Sequence, residues 1–289
     1  MSEFSAPTPT EGGPDEVVAL YGGPLTRRIR VTDLQRAKER GQRWAMLTSY
    51  DQYTAGLFDA AGIPVLLVGD SAANNVFGYE TTIPVTAEEL LPLVRAVVRA
   101  TTHPLIVGDL PFGSYEEGPT QALRTGVRFL KEGGCQAVKL EGGVRVAEQI
   151  AALTTAGVPV MGHVGFTPQS EHRIGGYRVQ GRGDAADAVL ADARAVADAG
   201  AFAVVLEMVP GDVAARVTKE LAIPTIGIGA GAGTDAQVLV WQDLAGLRGG
   251  PAPRFLKRYA DLAGVLTAAV RTYADEVAAG EFPGPEHTF

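Results

Sequence analysis

The 289-residue chain has one cysteine, four histidines and no apolar run near the roughly 20 residues that a membrane helix needs. With Cys135 alone no internal disulfide can form, so nothing in the sequence asks for an oxidising compartment. The shortage of Cys and His also argues against a soft-metal centre such as zinc. Basic residues are the minority, 25 Lys and Arg against 33 Asp and Glu, and the net charge of −8 offers no basic face for nucleic acid or an anionic membrane. The first 30 residues lack the basic start and apolar stretch of a signal peptide, so a cytoplasmic location is expected. No GxGxxG follows the first apolar run, and GIGAGAG at 227–233 lacks the GK[ST] ending of a P-loop. Its glycines suit a strand that turns tightly into its helix. Cys135, just before a strand, reads as a small buried residue.

What the chain does have is one pattern used repeatedly. VLLVGDS at 65–71 is an unbroken apolar run closed by Gly69, Asp70 and Ser71. Continuous runs of this kind come from strands buried on both faces, as in parallel sheets. The pattern returns as LIVGD at 105–109, AVKLE at 137–141 and AVVLE at 203–207, each closed by a carboxylate.

Residues 1–24, rich in Pro, Gly, Ser and acids without periodicity, read as a poorly ordered tail, and 25–289 as a single catalytic domain. RRIRVTDLQRAKERG at 27–41 spaces Leu34 and Ala37 helically behind a cap at Thr32, giving a short helix before the first strand. From 44 onward strand-like runs (WAMLTSY, VLLVGDS, LIVGDLPF, AVKLEGG, VPVMGHVGF, AVVLEMVP, PTIGIGAG, QVLVWQDLAGL) alternate with helical stretches. Thr86 and Glu89 form a capping-box signal, and 255–280 closes the chain as a long amphipathic helix. An open doubly wound sheet and a closed (β/α)8 barrel both fit this alternation. Eight units without a composition break favour the barrel.

In such a barrel the carboxyl ends of all strands meet on one face, where active sites lie. Asp70, Asp109 and Glu141 end strands two, three and four, and Glu207 ends strand six. Any one of them could merely cap a helix or pair with a base. Three on consecutive strand ends would repel one another unless a cation sat between them, and carboxylates with water suit Mg2+. Lys139, two residues before Glu141, shares its strand face and is either a counter-ion or a donor to an anionic substrate. His163 ends strand five facing the same region; a hydrogen-bonded structural histidine is the plainer alternative. His103, His172 and His287 fall in loops or the tail.

AMLTSYD, VLLVGDS, TTIPVT, DLPFGSY, VKLEGG, GHVGFTPQS, GGYRVQGRG, LEMVP, IPTIGIGAG and LVWQDLAG occur in this order. Together they closely resemble the ketopantoate hydroxymethyltransferase family, from about residue 30 to EFPGPEHTF at the end. The resemblance implies a (β/α)8 TIM barrel of the phosphoenolpyruvate/pyruvate-binding superfamily. It also implies hydroxymethyl transfer from 5,10-methylenetetrahydrofolate to the 2-oxo acid 3-methyl-2-oxobutanoate, with Mg2+, in a homo-oligomer (a decamer in the family). By motif, Asp70, Asp109 and Glu141 resemble the metal ligands, while Asp70, Ser71, Asp109 and Lys139 resemble the residues that hold the 2-oxo acid. Glu207 resembles the proton acceptor, and His163 a histidine near the substrate.

Two stretches depart from the family pattern: Glu171-His172-Arg173 adds charge after TPQS, and GIGAG continues as AGTDAQ. Both lie outside the metal set and bear on folate contacts or loop closure. The rival readings are a carbon–carbon lyase or mutase of the same barrel superfamily, and a catalytically silent barrel that binds 2-oxo acids. Related lyases use a cysteine-bearing loop over the site, and Cys135 sits at the wrong end of its strand for that.

Overall fold

A computed structural model describes residues 20–21, 26–250 and 253–289; nearly all of the expected tail at 1–24 lies outside the described residues. Within that stretch Leu20 is buried in the core, and the Tyr21 hydroxyl accepts a hydrogen bond from the Ala45 amide at 2.8 Å. The chain forms two compact units, one ending at Val238 and one running from Leu239 to Phe289.

The first unit is the expected barrel. β1 (Trp44–Thr48), β2 (Val65–Val68), β3 (Leu105–Asp109), β4 (Ala137–Glu141), β5 (Val160–Gly165), β6 (Ala203–Glu207), β7 (Thr225–Ile228) and β8 (Ala236–Leu239) close in sequence order, and the registered pairs are parallel. The doubly wound alternative is excluded by that closure. Side chains alternate along each strand, so every second residue faces the barrel interior. Met46, Val65, Leu67, Leu105, Val107, Ala137, Met161, Ala203 and Val205 form one buried cluster with Ile226, Ala236 and Val238. Leu34 and Ala37 of the helix Val31–Glu39 join the same cluster, so the helix before β1 packs onto the barrel core. Each fully buried aliphatic side chain contributes on the order of 2 kcal/mol through lost water contact.

The two-residue period then carries this apolar interior into the site. One step beyond Val107 is Asp109, beyond Ala137 are Lys139 and Glu141, beyond Met161 is His163, and beyond Val205 is Glu207. The outward residues of the same strands, such as Leu66, Ile106, Val138 and Val204, are buried as well, which explains the unbroken apolar runs. Gly162 faces outward where the helix Ala186–Asp198 crosses; a Cβ there would sit 2.3 Å from Val196 Cγ1.

The expected capping box is present: the Glu89 amide donates to Thr86 Oγ1 and the Thr86 amide to Glu89 Oε2, opening the helix Ala87–Arg99. The cap expected at Thr32 is not. The helix begins at Val31, and Asp33 accepts from the Arg30 amide while Arg27 forks onto its carboxylate, so the ion-paired acid takes the capping role. The second unit holds Trp241–Leu244 and the long helix Leu262–Ala279, which starts later than the expected 255 because Asp261 accepts from the Gly264 amide at 3.1 Å. Its apolar residues Val265, Leu266, Val270, Tyr273 and Val277 are exposed, Tyr273 meeting the Phe282 ring edge to face. Among the described residues no helix is long and apolar enough to cross a membrane.

Candidate active site

Strand register sets the site. Asp109 pairs with Lys139, Glu141 with His163, and Gly165 with Glu207 across β3–β6, which lines up five polar side chains at neighbouring strand ends. Lys139 Nζ lies 2.9 Å from Asp109 Oδ1, 3.3 Å from His163 Nδ1 and 3.9 Å from Glu141 Oε1. His163 Nδ1 lies 3.2 Å from Glu141 Oε1, and its Nε2 lies 3.2 Å from Glu207 Oε2. Asp70, two residues past β2, joins through its backbone amide, which donates to Asp109 Oδ2 at 3.1 Å. Asp70, Asp109, Lys139, Glu141 and His163 are buried, and Glu207 is partly open. Ser71 lies beside Asp70 in the chain but outside these contacts; its hydroxyl shares a 2.8 Å hydrogen bond with Tyr50.

Burial and mutual charge move the protonation equilibria. Burial raises Asp70, with the Glu141 carboxylate adding to it against Lys139 and Gln169. Burial pushes Asp109 up to about 7, although the Lys139 ammonium opposes the shift. For Lys139 burial acts downward, but Asp109, Glu141 and Asp70 outweigh it and hold the ammonium charged. Burial and Lys139 press His163 down, yet its contacts with Glu141 and Glu207 win and push it up to about 9. A positive charge on this ring meets a carboxylate at each end, Glu141 Oε1 beside Nδ1 and Glu207 Oε2 beside Nε2, as ion-pair contacts rather than aligned hydrogen bonds.

The strand-end reasoning missed three residues. Gln169, on the short turn Pro168–Ser170, is buried and engages both ends of its side-chain amide and its backbone N–H. Its amide nitrogen Nε2 donates to Asp70 Oδ2 at 2.9 Å and to the Leu110 carbonyl, its backbone N–H donates to Glu141 Oε2 at 3.0 Å, and its Oε1 accepts from the Tyr115 hydroxyl. Gln169 therefore ties β2, β3 and β4 to the loop after β5. Tyr115 in turn accepts from the Glu141 amide, and Tyr50 holds Ser71. Gln169 lies within TPQS and Tyr115 within DLPFGSY, but periodicity gives no sign that loop residues return to the barrel mouth.

The family model for ketopantoate hydroxymethyltransferase matches residues 28–285. The chain belongs to the ketopantoate hydroxymethyltransferase family. A 3-methyl-2-oxobutanoate hydroxymethyltransferase of Saccharopolyspora erythraea is 65% identical over 275 residues, covering 95% of this chain and 94% of the relative. One from Mycobacterium tuberculosis is 64% identical over 267 residues, covering 92% and 95%. Among solved structures, phosphoenolpyruvate phosphomutase from Streptomyces platensis has a TM-score of 0.58 at 16% identity, covering 86% of this chain and 88% of that one. A 2,3-dimethylmalate lyase of the PEP mutase/isocitrate lyase superfamily has a TM-score of 0.54 at 17% identity, covering 88% and 86%. These distant structures share the barrel fold with the ketopantoate hydroxymethyltransferase family member described here.

The donor set fits a hard divalent cation on charge. Among the described residues, Asp70, Asp109, Glu141 and Glu207, when ionised, have only Lys139 and His163 as ion-pair cations in the cluster, leaving two negative charges unpaired in a largely buried site. Asp109 Oδ1 and Glu141 Oε1 are buried with ion-pair contacts but no aligned hydrogen bond. Among the described residues no three His, Cys, Asp or Glu side chains form a ready-made metal cage. Mg2+ does not require one, since it usually takes one or two carboxylates and completes its shell with water and substrate oxygens.

Proposed function

We infer that this enzyme transfers the one-carbon unit of 5,10-methylenetetrahydrofolate to C3 of 3-methyl-2-oxobutanoate, forming 2-dehydropantoate. The observation that carries the reading is the continuous contact chain Asp109–Lys139–His163–Glu207, in a protein 65% identical to a relative named for this activity. Asp70, Asp109 and Glu141 would hold Mg2+, which when bound polarises the keto group of the substrate and acidifies its C3 proton.

Lys139 and Ser71, with Asp70 and Asp109 beside them, orient the 2-oxo acid, the ammonium facing its carboxylate. Glu207 acts as the base. Its Oε2 faces the His163 imidazole, which leaves Oε1 to take the C3 proton. The electron pair released at C3 forms a bond to the folate methylene carbon. Both C–N bonds of that methylene break, water supplies the hydroxyl, and the abstracted proton and the water proton end on the two folate nitrogens. His163 holds the Glu207 carboxylate in place through the 3.2 Å contact and balances its charge before proton transfer.

In this reading residues 25–289 work as one catalytic domain, supported by a family match that runs across both compact units. The enzyme is cytoplasmic and homo-oligomeric, a decamer on the family resemblance. The test is deuterium exchange at C3 of 3-methyl-2-oxobutanoate with Mg2+ and no folate. Native protein exchanges, and Glu207→Gln exchanges at most about a hundredth as fast. A Glu207→Gln variant with the native rate would remove Glu207 from the role of base.

A further inference from the structure

Next to the acid cluster lies a hollow of about 730 Å³ that none of these steps uses. It falls within the ~300–1,000 Å³ range of small-molecule sites. Gly142 and Gly165 line it. Gly142 follows Glu141 directly and donates its amide to the His163 carbonyl at 2.9 Å, while Gly165 pairs in register with Glu207. The hollow thus opens within one residue of the reacting groups.

Its wall is basic. Arg145, Arg173 and Arg178 line it, and none of the three forms an ion pair with an acid among the described residues. Arg128, Arg194 and Arg216 pair with acids elsewhere on the surface, whereas Arg40, Arg99 and Arg124 are exposed without an ion pair among the described residues, so what sets this wall apart is that three arginines line one hollow. Asp192 is the sole acid of the lining, and its Oδ1 is engaged by the Val144 amide at 2.9 Å. Arg145 is steadied by Ser170, to which it donates at 3.0 Å. Guanidinium forks match carboxylates two bonds at a time, so the wall suits a ligand with more than one carboxylate.

We propose that this hollow seats the glutamyl tail of the folate co-substrate, with Arg173 and Arg178 facing its two carboxylates. The assignment rests on the proposed function. The folate methylene must reach the substrate beside Glu207, and the dianionic tail at the far end of the same molecule needs a cationic surface within its own length. The chain's net charge of −8 opposes a dianion overall, and the arginine wall offers it a local cationic surface.

The experiment compares binding of tetrahydrofolate with tetrahydropteroate, which lacks the glutamate, to native protein and to Arg173→Gln/Arg178→Gln, by calorimetry at fixed ionic strength. Circular dichroism melting confirms that the double variant is folded; if it is not, the single Arg178→Gln serves. Native protein binds tetrahydrofolate about tenfold more tightly than tetrahydropteroate, and the variant loses that preference. A native protein that binds the two equally, or a variant that keeps the preference, overturns the assignment while leaving the reaction intact. Weakening of tetrahydrofolate and tetrahydropteroate alike by the substitutions also overturns it, because the arginines then act on something other than the tail. Native protein that binds neither and shows no C3 exchange removes the functional reading itself.

Discussion

His163 Nε2 stands 3.2 Å from Glu207 Oε2, joining the ends of β5 and β6 across the mouth of the barrel. The same ring reaches Glu141 through Nδ1, so one imidazole serves two acids with different proposed tasks. Replacement by Asn leaves Glu207 without its cation and frees its side chain to swing. C3 exchange should fall about 10²-fold in His163→Asn, while Glu207→Gln and the double variant fall to a common floor. Exchange rates of the three variants measure this, and fully additive losses would argue that the two residues act separately.

The same histidine sets a pH dependence of stability in metal-free protein. Its folded pKa, about 9, lies above the ordinary value of 6.5, so the folded state holds the proton more tightly. The resulting stabilisation is complete below about 6.5 and disappears as pH rises through about 9. Urea unfolding between pH 6.5 and 9.5 should show that decline, and His163→Asn should flatten it.

Proton and metal compete for Asp109. Its pKa of about 7 means that most molecules carry a protonated Asp109 at pH 6 and an ionised one at pH 8. Mg2+ should bind about tenfold more weakly at pH 6 than at pH 8, with proton release near pH 7. In metal-free protein the sign is opposite to that of an ordinary paired acid: ionising the buried group costs stability as pH rises from about 3.8 to 7. Calorimetric titration in buffers of different ionisation enthalpy reads the proton release, and Asp109→Ala should weaken Mg2+ binding at every pH.

Gln169 should behave as a positioning residue. Gln169→Ala removes the donor to Asp70 and leaves the buried Tyr115 hydroxyl with only the longer contact to the Glu141 carbonyl at 3.3 Å. Mg2+ affinity should drop about 10- to 100-fold, as for other residues that orient metal ligands, and stability by about 1–3 kcal/mol. Gln169→Glu, which turns a donor into a carboxylate facing Asp70, should be worse on both counts. Metal titration and urea unfolding separate the two effects, and unchanged metal affinity in Gln169→Ala would rule out the positioning role.

Gly162→Ala tests the packing of β5. Its new Cβ would lie 2.3 Å from Val196 Cγ1 and 3.1 Å from Cγ2, so the helix Ala186–Asp198 must shift or Val196 must leave its rotamer. The expected loss is about 1–3 kcal/mol of unfolding free energy. Pairing it with Val196→Ala should restore part of that loss.

Much of the molecule follows from sequence because the barrel repeats one local rule. An apolar run buried on both faces ends in a polar residue, and parallel closure sends all such ends to one rim. Asp70, Asp109, Lys139, Glu141, His163 and Glu207 are therefore placed at the rim by strand ends alone; the Thr86–Glu89 cap is legible from its spacing, and Cys135 is buried as expected, its thiol pushed up to about 12 by burial. Ser71 closes the same run, but its substrate role rests on the family resemblance; its hydroxyl shares a hydrogen bond with Tyr50. Tertiary structure alone decided the rest. Gln169 reaches Asp70 across 99 residues of chain, and Arg145, Arg173 and Arg178 come from two loops to line one hollow. Strand periodicity acts over two residues and fixes which way a side chain points. Loop residues obey no such period, and what they meet depends on how the chain returns to the rim.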